Sequence, residues 1–279
     1  MIHILKNADF SECNLGKVTV PVEDTPESLL VISKFPNLSD TKKNKIKAFV
    51  NALVDSGIYG KLNYLMLPYF ASTVGEAIQN VLLDENSIPS VKNMDKGVVT
   101  PNGLCFTGKG RVNIATFIKG TLSTTEFSLG GCLYIPNDVV PNGIATMGFM
   151  YTQPTGNNTT RIYWNKGLNI NNGLAFAVPG INTTNNQNDS QSDCKMEILS
   201  VSISNAKVLS LQTENRIVED SLTVDSFVEG SGLSINGQND TEYHHYQSGY
   251  YRMLFAGSAL TREEMSTIKD LMATLCDYA

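Results

Sequence analysis

Hydrophobic and polar positions follow two different periods along this chain, and the change comes near residue 98. After Ser39 the apolar residues recur every three to four positions, which is the spacing of a helix with one buried face. These positions are Ile46, Phe49, Val50 and Leu53. Ser39 can cap the start of this helix and Gly57 can end it. A second helix is predicted from Thr73.

The other segments before residue 98 predict extended chain. Val18, Val20 and Val22 alternate with polar residues, and residues 28–33 (SLLVIS) form a short apolar run typical of a buried strand. Residues 84–97 contain many turn formers and predict a linker. We therefore expect a smaller α/β region over residues 1–97. Its residues 1 to about 36 cannot make a core alone and must pack on the next domain or on another chain.

From Val98 onward, period-two alternation predicts about ten short strands. The clearest alternating run is Phe127, Leu129, Gly131, Leu133 and Ile135. Turn-forming pairs such as Asn236-Gly237 separate the runs at short intervals. Many short strands spaced in this way are typical of antiparallel sheets in a sandwich or a barrel.

The chain ends in a strand followed by a capped helix. Residues 250–255 alternate between two faces, and Thr261 with Glu264 has the spacing of a capping box. Glu263 and Glu264 are therefore interpreted as first-turn and capping carboxylates. We expect the strand to complete a sheet and the helix to pack on one face or end of it.

Composition narrows the choice of partners. The 279 residues are 42% hydrophobic and 17% charged, which is ordinary for a soluble globular protein. A net charge of −6 gives no electrostatic support for binding to nucleic acid or to an anionic membrane. The five cysteines are widely spaced and predict free thiols in a reducing cytosol. The first ten residues lack the pattern of a signal peptide.

Four segments after residue 98 resemble laminin-G-like, concanavalin-like jelly rolls. They are residues 103–108 (GLCFTG), 127–134 (FSLGGCLY), 196–211 and 251–265, the last with a Leu-Thr-x-Glu-Glu motif. The resemblance implies an antiparallel β-sandwich jelly roll over residues 98–279 that the C-terminal helix closes. It also implies a domain boundary between residues 97 and 98.

A second resemblance lies upstream, in residues 55–62 (DSGIYGKL) and 67–70 (LPYF). These residues are similar to a segment that precedes such jelly rolls in virion proteins of tailed bacteriophages, although Tyr59 stands where that family has Trp. The resemblance implies a head- or tail-fibre or decoration protein, made in the bacterial cytoplasm, that forms homo-oligomers and binds other virion proteins. Assembly contacts are then assigned to Ile58, Tyr59, Lys61, Pro68, Tyr69 and Phe70.

Carbohydrate binding is a further role, because aromatic rings stack on sugars while Asn and Asp side chains bind hydroxyl groups. The candidates are Tyr151, Trp164, Tyr243, His244, His245 and Tyr246. Trp164, the only tryptophan, alternates with Ile162 and also fits a core position, and residues 243–246 also fit an ordinary loop. A host-surface polysaccharide is the expected ligand. A free-standing, non-catalytic carbohydrate-binding module is the alternative to a virion protein.

Catalysis and metal binding have less support in the sequence. Retaining glucanases of the concanavalin-like fold need two carboxylates about 5 Å apart, and no Glu-x-Asp-x-Glu alternation occurs. We therefore predict that the protein is not an enzyme, with a glycoside hydrolase as the least favoured alternative. His244 and His245 would point in opposite directions on extended chain, so no metal or cofactor is expected. Calcium stays an alternative without support from any spacing; its candidate ligands are Asp138, Asp189, Asp193 and Asp240.

Overall fold

A computed structural model gives the fold of this protein. It describes residues 22–84, 90–92, 97–106, 111–113, 119–120, 123, 125–134, 144–150, 161–165, 173–177, 194–202, 208–212, 217–221, 232–235 and 249–277.

Four α-helices lie in the described residues, three before the main run of strands and one after it. They are α1 (Pro26–Ser33), α2 (Asp40–Asp55), α3 (Val74–Ile78) and α4 (Arg262–Leu275). Two short 3₁₀ helices, Tyr59–Lys61 and Pro68–Phe70, lie between α2 and α3. No helix in the described part of the chain has the length and apolar character that crossing a bilayer requires.

Residues 28–33 form helix α1, so the strand predicted there is wrong. Thr25 caps the helix: its hydroxyl accepts a hydrogen bond from the Ser28 N–H, and the Ser28 hydroxyl accepts one from the Thr25 N–H. Pro26 occupies the first helical position, where its fixed φ angle favours a helix. An apolar run of six residues fits either a strand or a helix, and here the N-cap at Thr25 favours the helix.

The predicted helix after Ser39 is confirmed as α2, with Ser39 as its N-cap and Gly57 at a φ angle of 74° just beyond its end. Thr73 likewise caps α3, but α3 stops at Ile78. Val81 and Leu82 are buried without being helical.

Two antiparallel sheets contain all the described strands. The first has the order β12-β11-β10-β6-β14-β4-β3, and β1 also pairs with β14. Its strands are β1 (Leu62–Met66), β3 (Gly97–Thr100), β4 (Gly103–Phe106), β6 (Glu126–Tyr134), β10 (Cys194–Ser202), β11 (Val208–Gln212), β12 (Ile217–Ser221) and β14 (Tyr250–Gly257). The prediction of a sheet-rich, antiparallel protein with a C-terminal helix is confirmed.

The second sheet has six strands in the order β2-β5-β13-β7-β8-β9. They are β2 (Ser90–Lys92), β5 (Arg111–Asn113), β7 (Ile144–Met150), β8 (Arg161–Asn165), β9 (Gly173–Ala177) and β13 (Gly232–Ile235).

One hydrophobic cluster joins the helices to a face of the first sheet. Its members come from α1, α2, β1 and α4 and from the sheet residues Cys132, Met196, Ile198, Met253 and Phe255. The cluster therefore contains residues from both sides of the predicted boundary at 97/98. Cys105, Cys132 and Cys276, the cysteines whose side chains the structure describes, are free thiols.

Asn80 takes the place of a neighbouring strand along the outer side of β1. Its side-chain oxygen accepts hydrogen bonds from the N–H groups of Leu65 and Leu82, at 3.1 and 3.2 Å. Its side-chain nitrogen donates to the Asn63 carbonyl at 2.9 Å, and the Val81 N–H donates to the Leu65 carbonyl. Asn80 is fully buried, so it satisfies backbone groups that water cannot reach.

Asn80→Ala should lower the free energy of unfolding by about 2–3 kcal/mol, because it leaves buried backbone groups without hydrogen-bond partners. Urea denaturation measures the change. Asn44→Ala, at an exposed position of α2, is the control and should change stability by less than about 0.5 kcal/mol. Equal effects of the two substitutions would contradict the role given to Asn80.

Gly257, the last residue of β14, lies where the backbone of β14 meets the residues that lead into β1. A Cβ atom at this position would overlap the carbonyl oxygen of Lys61, which accepts a hydrogen bond from the Ser258 N–H at 2.9 Å. The two backbones can therefore approach each other only if residue 257 is glycine.

Gly257→Ala should destabilise the protein by about 1–3 kcal/mol, the usual cost of overpacking. Gly60→Ala is the matched control, because a Cβ atom at Gly60 would meet nothing within 4 Å. The midpoints of thermal unfolding of the two variants test this difference. A Gly257→Ala protein as stable as Gly60→Ala would show that the backbones do not meet here.

Candidate functional site

Arg252 lies at a β-bulge in the last strand. On the neighbouring strand β6, Leu133 pairs with Tyr251 and Cys132 pairs with Met253, so Arg252 is an extra residue in β14. A bulge of this kind changes the direction in which a side chain points. This bulge lets a strand of buried residues contain an arginine whose side chain leaves the apolar core.

Aromatic rings and carbonyl groups surround the Arg252 guanidinium. Its central carbon lies 4.9 Å from the centre of the Tyr69 ring and 4.5 Å from that of the Tyr134 ring. Nη1 donates to the Cys276 carbonyl at 2.7 Å and Nε to the Asn102 carbonyl at 3.3 Å. Arg252 is only 9% exposed. A cation next to the C-terminal end of α4 is favourable, so Arg252 attaches that helix end to the sheet.

Two half-buried tyrosines, Tyr69 and Tyr134, lie against Arg252, and a third, Tyr250, lies beside Tyr134; we call the three residues the tyrosine cluster. Tyr134 and Tyr250 are directly opposite each other on β6 and β14, with ring centres 6.1 Å apart. The Lys42 ammonium lies 6.0 Å from the centre of the Tyr69 ring. Partly exposed tyrosine rings, one of them with a cation beside it, can stack on a sugar and attract an anionic group.

This cluster is not among the sites predicted from the sequence. The sequence predicts that residues 250–255 complete a sheet and that Tyr134 lies in a strand. One signal was available, because Arg252 is a charged residue between the apolar residues Tyr251 and Met253 in a strand pattern. The pairing of residues 134 and 250 is long-range, however, and no local pattern shows it.

Tyr69 also connects the cluster to the end of the chain. Its hydroxyl donates to Oδ2 of Asp277 at 2.8 Å, and Lys45 pairs with Oδ1 of the same carboxylate. Burial, together with the hydrogen bond and the charge of Asp277, raises the pKa of Tyr69 to about 12. Burial opposes ionisation of Asp277, but hydrogen bonds from Lys45 and Tyr69 outweigh it and lower the pKa of that carboxyl group.

The residues predicted for assembly mostly make contacts inside the chain. Ile58, Tyr59, Pro68 and Phe70 are buried. Lys61 donates to Oε2 of Glu264 at 2.7 Å and so connects the first 3₁₀ helix to the start of α4. Their contacts with other virion proteins stay a prediction.

Most residues predicted to bind glycans lie outside the described residues: Tyr151, Tyr243, His244, His245 and Tyr246. The backbone of Trp164 lies in β8 opposite Ala145, but its side chain is outside the description. These assignments stay predictions. Within the described residues, no group of three or more His, Cys, Asp or Glu side chains is placed to hold a metal ion.

Comparison with known proteins identifies similar folds but no family. No family model matches the sequence, and no curated protein matches it either. A Trypanosoma rangeli sialidase in complex with 2,3-difluorosialic acid, as the covalent intermediate, is similar with a TM-score of 0.55 and 12% identity. The match covers 85% of this chain and 40% of the sialidase.

Two further solved structures show the same kind of likeness. The same sialidase with 2,3-difluoro-KDN has a TM-score of 0.55 and 10% identity, over 83% of this chain and 39% of that one. The binding domain of botulinum neurotoxin serotype D has a TM-score of 0.50 and 12% identity, over 76% of this chain and 52% of that one. This chain therefore spans about two fifths of the length of the sialidases that it resembles. At such identities the likeness shows the fold alone.

The likeness to sialidases overturns the prediction that the protein is not an enzyme. That prediction used the absence of a paired-carboxylate pattern as its test. Sialidases are exceptions to the two-carboxylate rule, because they use a tyrosine nucleophile. The missing pattern therefore does not exclude catalysis for a chain with this fold.

The stability of the protein should fall between about pH 10 and pH 12 partly because Tyr69 ionises. The fold raises the pKa of Tyr69 from 10.0 to about 12, so its contribution is complete below pH 10 and is lost as the pH rises through 12. Tyr69→Phe should flatten this part of the stability profile, as measured by urea denaturation at a series of pH values.

Asp277→Asn is the companion variant, because it keeps a hydrogen-bond acceptor but removes the charge that opposes ionisation of Tyr69. We expect it to lower the pKa of Tyr69 towards the ordinary value, seen as earlier phenolate absorbance. An unchanged alkaline profile in both variants would contradict the contact.

Proposed function

We propose that the chain is a glycan-recognition module built on a laminin-G-like, concanavalin-like jelly-roll sandwich. The two antiparallel sheets and the likeness to sialidases and to a toxin binding domain support this architecture. The observation that carries the proposal is the tyrosine cluster, in which Arg252 lies against the rings of Tyr69 and Tyr134, Tyr250 lies beside Tyr134, and Lys42 lies 6.0 Å from the centre of the Tyr69 ring.

The cluster suits a sugar that carries a carboxylate. A tyrosine ring stacks on the apolar face of a pyranose, and the Lys42 ammonium can pair with an acidic substituent. The sialidase structures contain 2,3-difluorosialic acid and 2,3-difluoro-KDN, which are acidic sugars of this kind. Arg252 is held by two carbonyl groups, so its role at the site is to position Tyr69 and Tyr134.

We further propose that the module works on the particle of a tailed bacteriophage, as a fibre or decoration subunit that contacts host-surface glycan. The sequence resemblance of residues 55–62 and 67–70 to phage virion proteins supports this setting. A free-standing glycan-binding protein is the alternative. Immunogold labelling of purified particles with an antibody to this chain distinguishes the two.

Hydrolysis of a sialoside is the second candidate function, favoured by the likeness to sialidases. It can be tested on the same protein preparation with a fluorogenic sialoside. Turnover above that of a heat-inactivated sample would support hydrolysis, and a signal equal to that sample would leave binding as the proposed function.

On an array of sialylated glycans and bacterial capsular polysaccharides, the full chain should bind acidic glycans. Tyr250→Ser should weaken binding about two- to thirteenfold, because stacking on a ring contributes about 0.5–1.5 kcal/mol. Tyr250→Phe keeps the ring and should bind like the original protein. Calorimetric titration with the best glycan measures the three affinities.

Two outcomes would contradict this assignment. If no glycan on the array binds, the proposed function fails. If Tyr250→Ser and Tyr134→Ser bind normally while Tyr243→Ser or Tyr246→Ser does not, the loop candidates are the binding residues.

A further inference from the structure

Strand β3 forms one end of the first sheet. It pairs with β4 on one side, and no strand among the described residues pairs with its other side. Helix α3 packs close to β3 and β4, yet the Val98 side chain remains 41% exposed. Leu29 and Val98 are the large hydrophobic residues that are exposed in the described part of the chain.

The hairpin between β3 and β4 determines which backbone groups of β3 point outward. Thr100 pairs with Gly103 across the turn residues Pro101 and Asn102. If Thr100 and Gly103 were a non-bonded pair, the next hydrogen bond of the ladder would need the N–H of Pro101, which proline lacks. Thr100 and Gly103 are therefore the pair that exchanges hydrogen bonds. Bonded and non-bonded pairs alternate along a hairpin, so Gly97 and Val99 direct their N–H and C=O groups away from β4.

The two ends of this sheet differ in charge. Strand β12, at the other end, contains Glu219 and Asp220. Strand β3 has the sequence GVVT and contains no charged residue. Charged side chains on an end strand prevent pairing with another chain, and an uncharged end strand permits it. Charged residues therefore protect the sheet at β12, whereas β3 has no such protection and no partner on its outer side among the described strands.

We propose that β3 pairs antiparallel with β3 of a second copy of this chain, across a two-fold axis at Val98. In this register Gly97 exchanges two hydrogen bonds with Val99 of the second copy, and Val99 does the same with Gly97 of that copy. Val98 then faces Val98 of the second copy. The contact satisfies the outward backbone groups of β3 and buries the exposed valine.

A second copy fits this edge better than an unrelated strand. A two-fold axis perpendicular to β3 places the two copies of the strand antiparallel, which continues the order of a sheet whose described pairings are all antiparallel. Two uncharged GVVT strands also meet without like-charge repulsion, although each chain has a net charge of −6.

The contact is short, so we expect a weak dimer. Four residues a side bury much less than the roughly 800 Å² per partner that stable interfaces use. Dimers should therefore form in a concentration-dependent way. Their formation does not depend on glycan binding, so the two proposals can fail separately.

Disulfide trapping with Val98→Cys tests the register. Directly opposed residues of a non-bonded antiparallel pair have Cα atoms about 4.5 Å apart, which is within the range of a disulfide. Mild oxidation of the full chain should therefore give a covalent dimer on a non-reducing gel. Glu219→Cys, at an exposed position in β12, is the matched control and should give no more dimer than the original protein, whose native cysteines set the background.

Sedimentation equilibrium tests the same contact without a cross-link. The average mass of the original protein should rise towards that of a dimer as its concentration increases, and Val98→Lys should remain monomeric because like charges would then oppose each other. Circular dichroism checks that every variant is folded. The proposal would be overturned if Val98→Cys cross-links no faster than Glu219→Cys. It would also be overturned if Val98→Lys still forms the dimer.

Discussion

The pairing of β14 with three other strands is the constraint on which the rest of the structure depends. β14 lies beside β6 along its length, and on its other side it pairs with β4 at Tyr251 and with β1 from Leu254 to Gly257. One of the last segments of the chain therefore connects the main sheet to the N-terminal helices. Contacts over such long separations close large loops, so we expect them to form late in folding.

Each neighbouring feature follows from this position. Gly257 allows the backbone before β1 to approach. Asn80 forms hydrogen bonds with the side of β1 that no described strand pairs with. The ion pair between Lys61 and Glu264 connects the same segment to α4, whose capping box uses Glu264 as well. The N-terminal region thus shares one hydrophobic cluster with the sheet, and that cluster spans the boundary predicted between residues 97 and 98.

The candidate site results from the same strand. The bulge at Arg252 places a cation within an otherwise apolar strand. That cation lies against the rings of Tyr69 and Tyr134 and donates a hydrogen bond to the end of α4. A structural contact thereby orients the rings that we propose as a glycan surface. The fold likeness to sialidases and to a toxin binding domain is consistent with such a surface. The side chains at the site, and not the fold, determine which ligand binds there.

The sequence by itself determined the features that depend on neighbouring residues. The caps at Ser39, Thr73 and Thr261, the alternation of β6 and β14 and the antiparallel class all follow from local patterns. Tertiary structure alone decided that β1 joins the sheet, that Lys61 pairs with Glu264, and that Tyr69, Tyr134 and Arg252 meet. The physical reason is distance along the chain, because periodicity and capping describe one element, whereas register and bulges depend on residues far away in sequence.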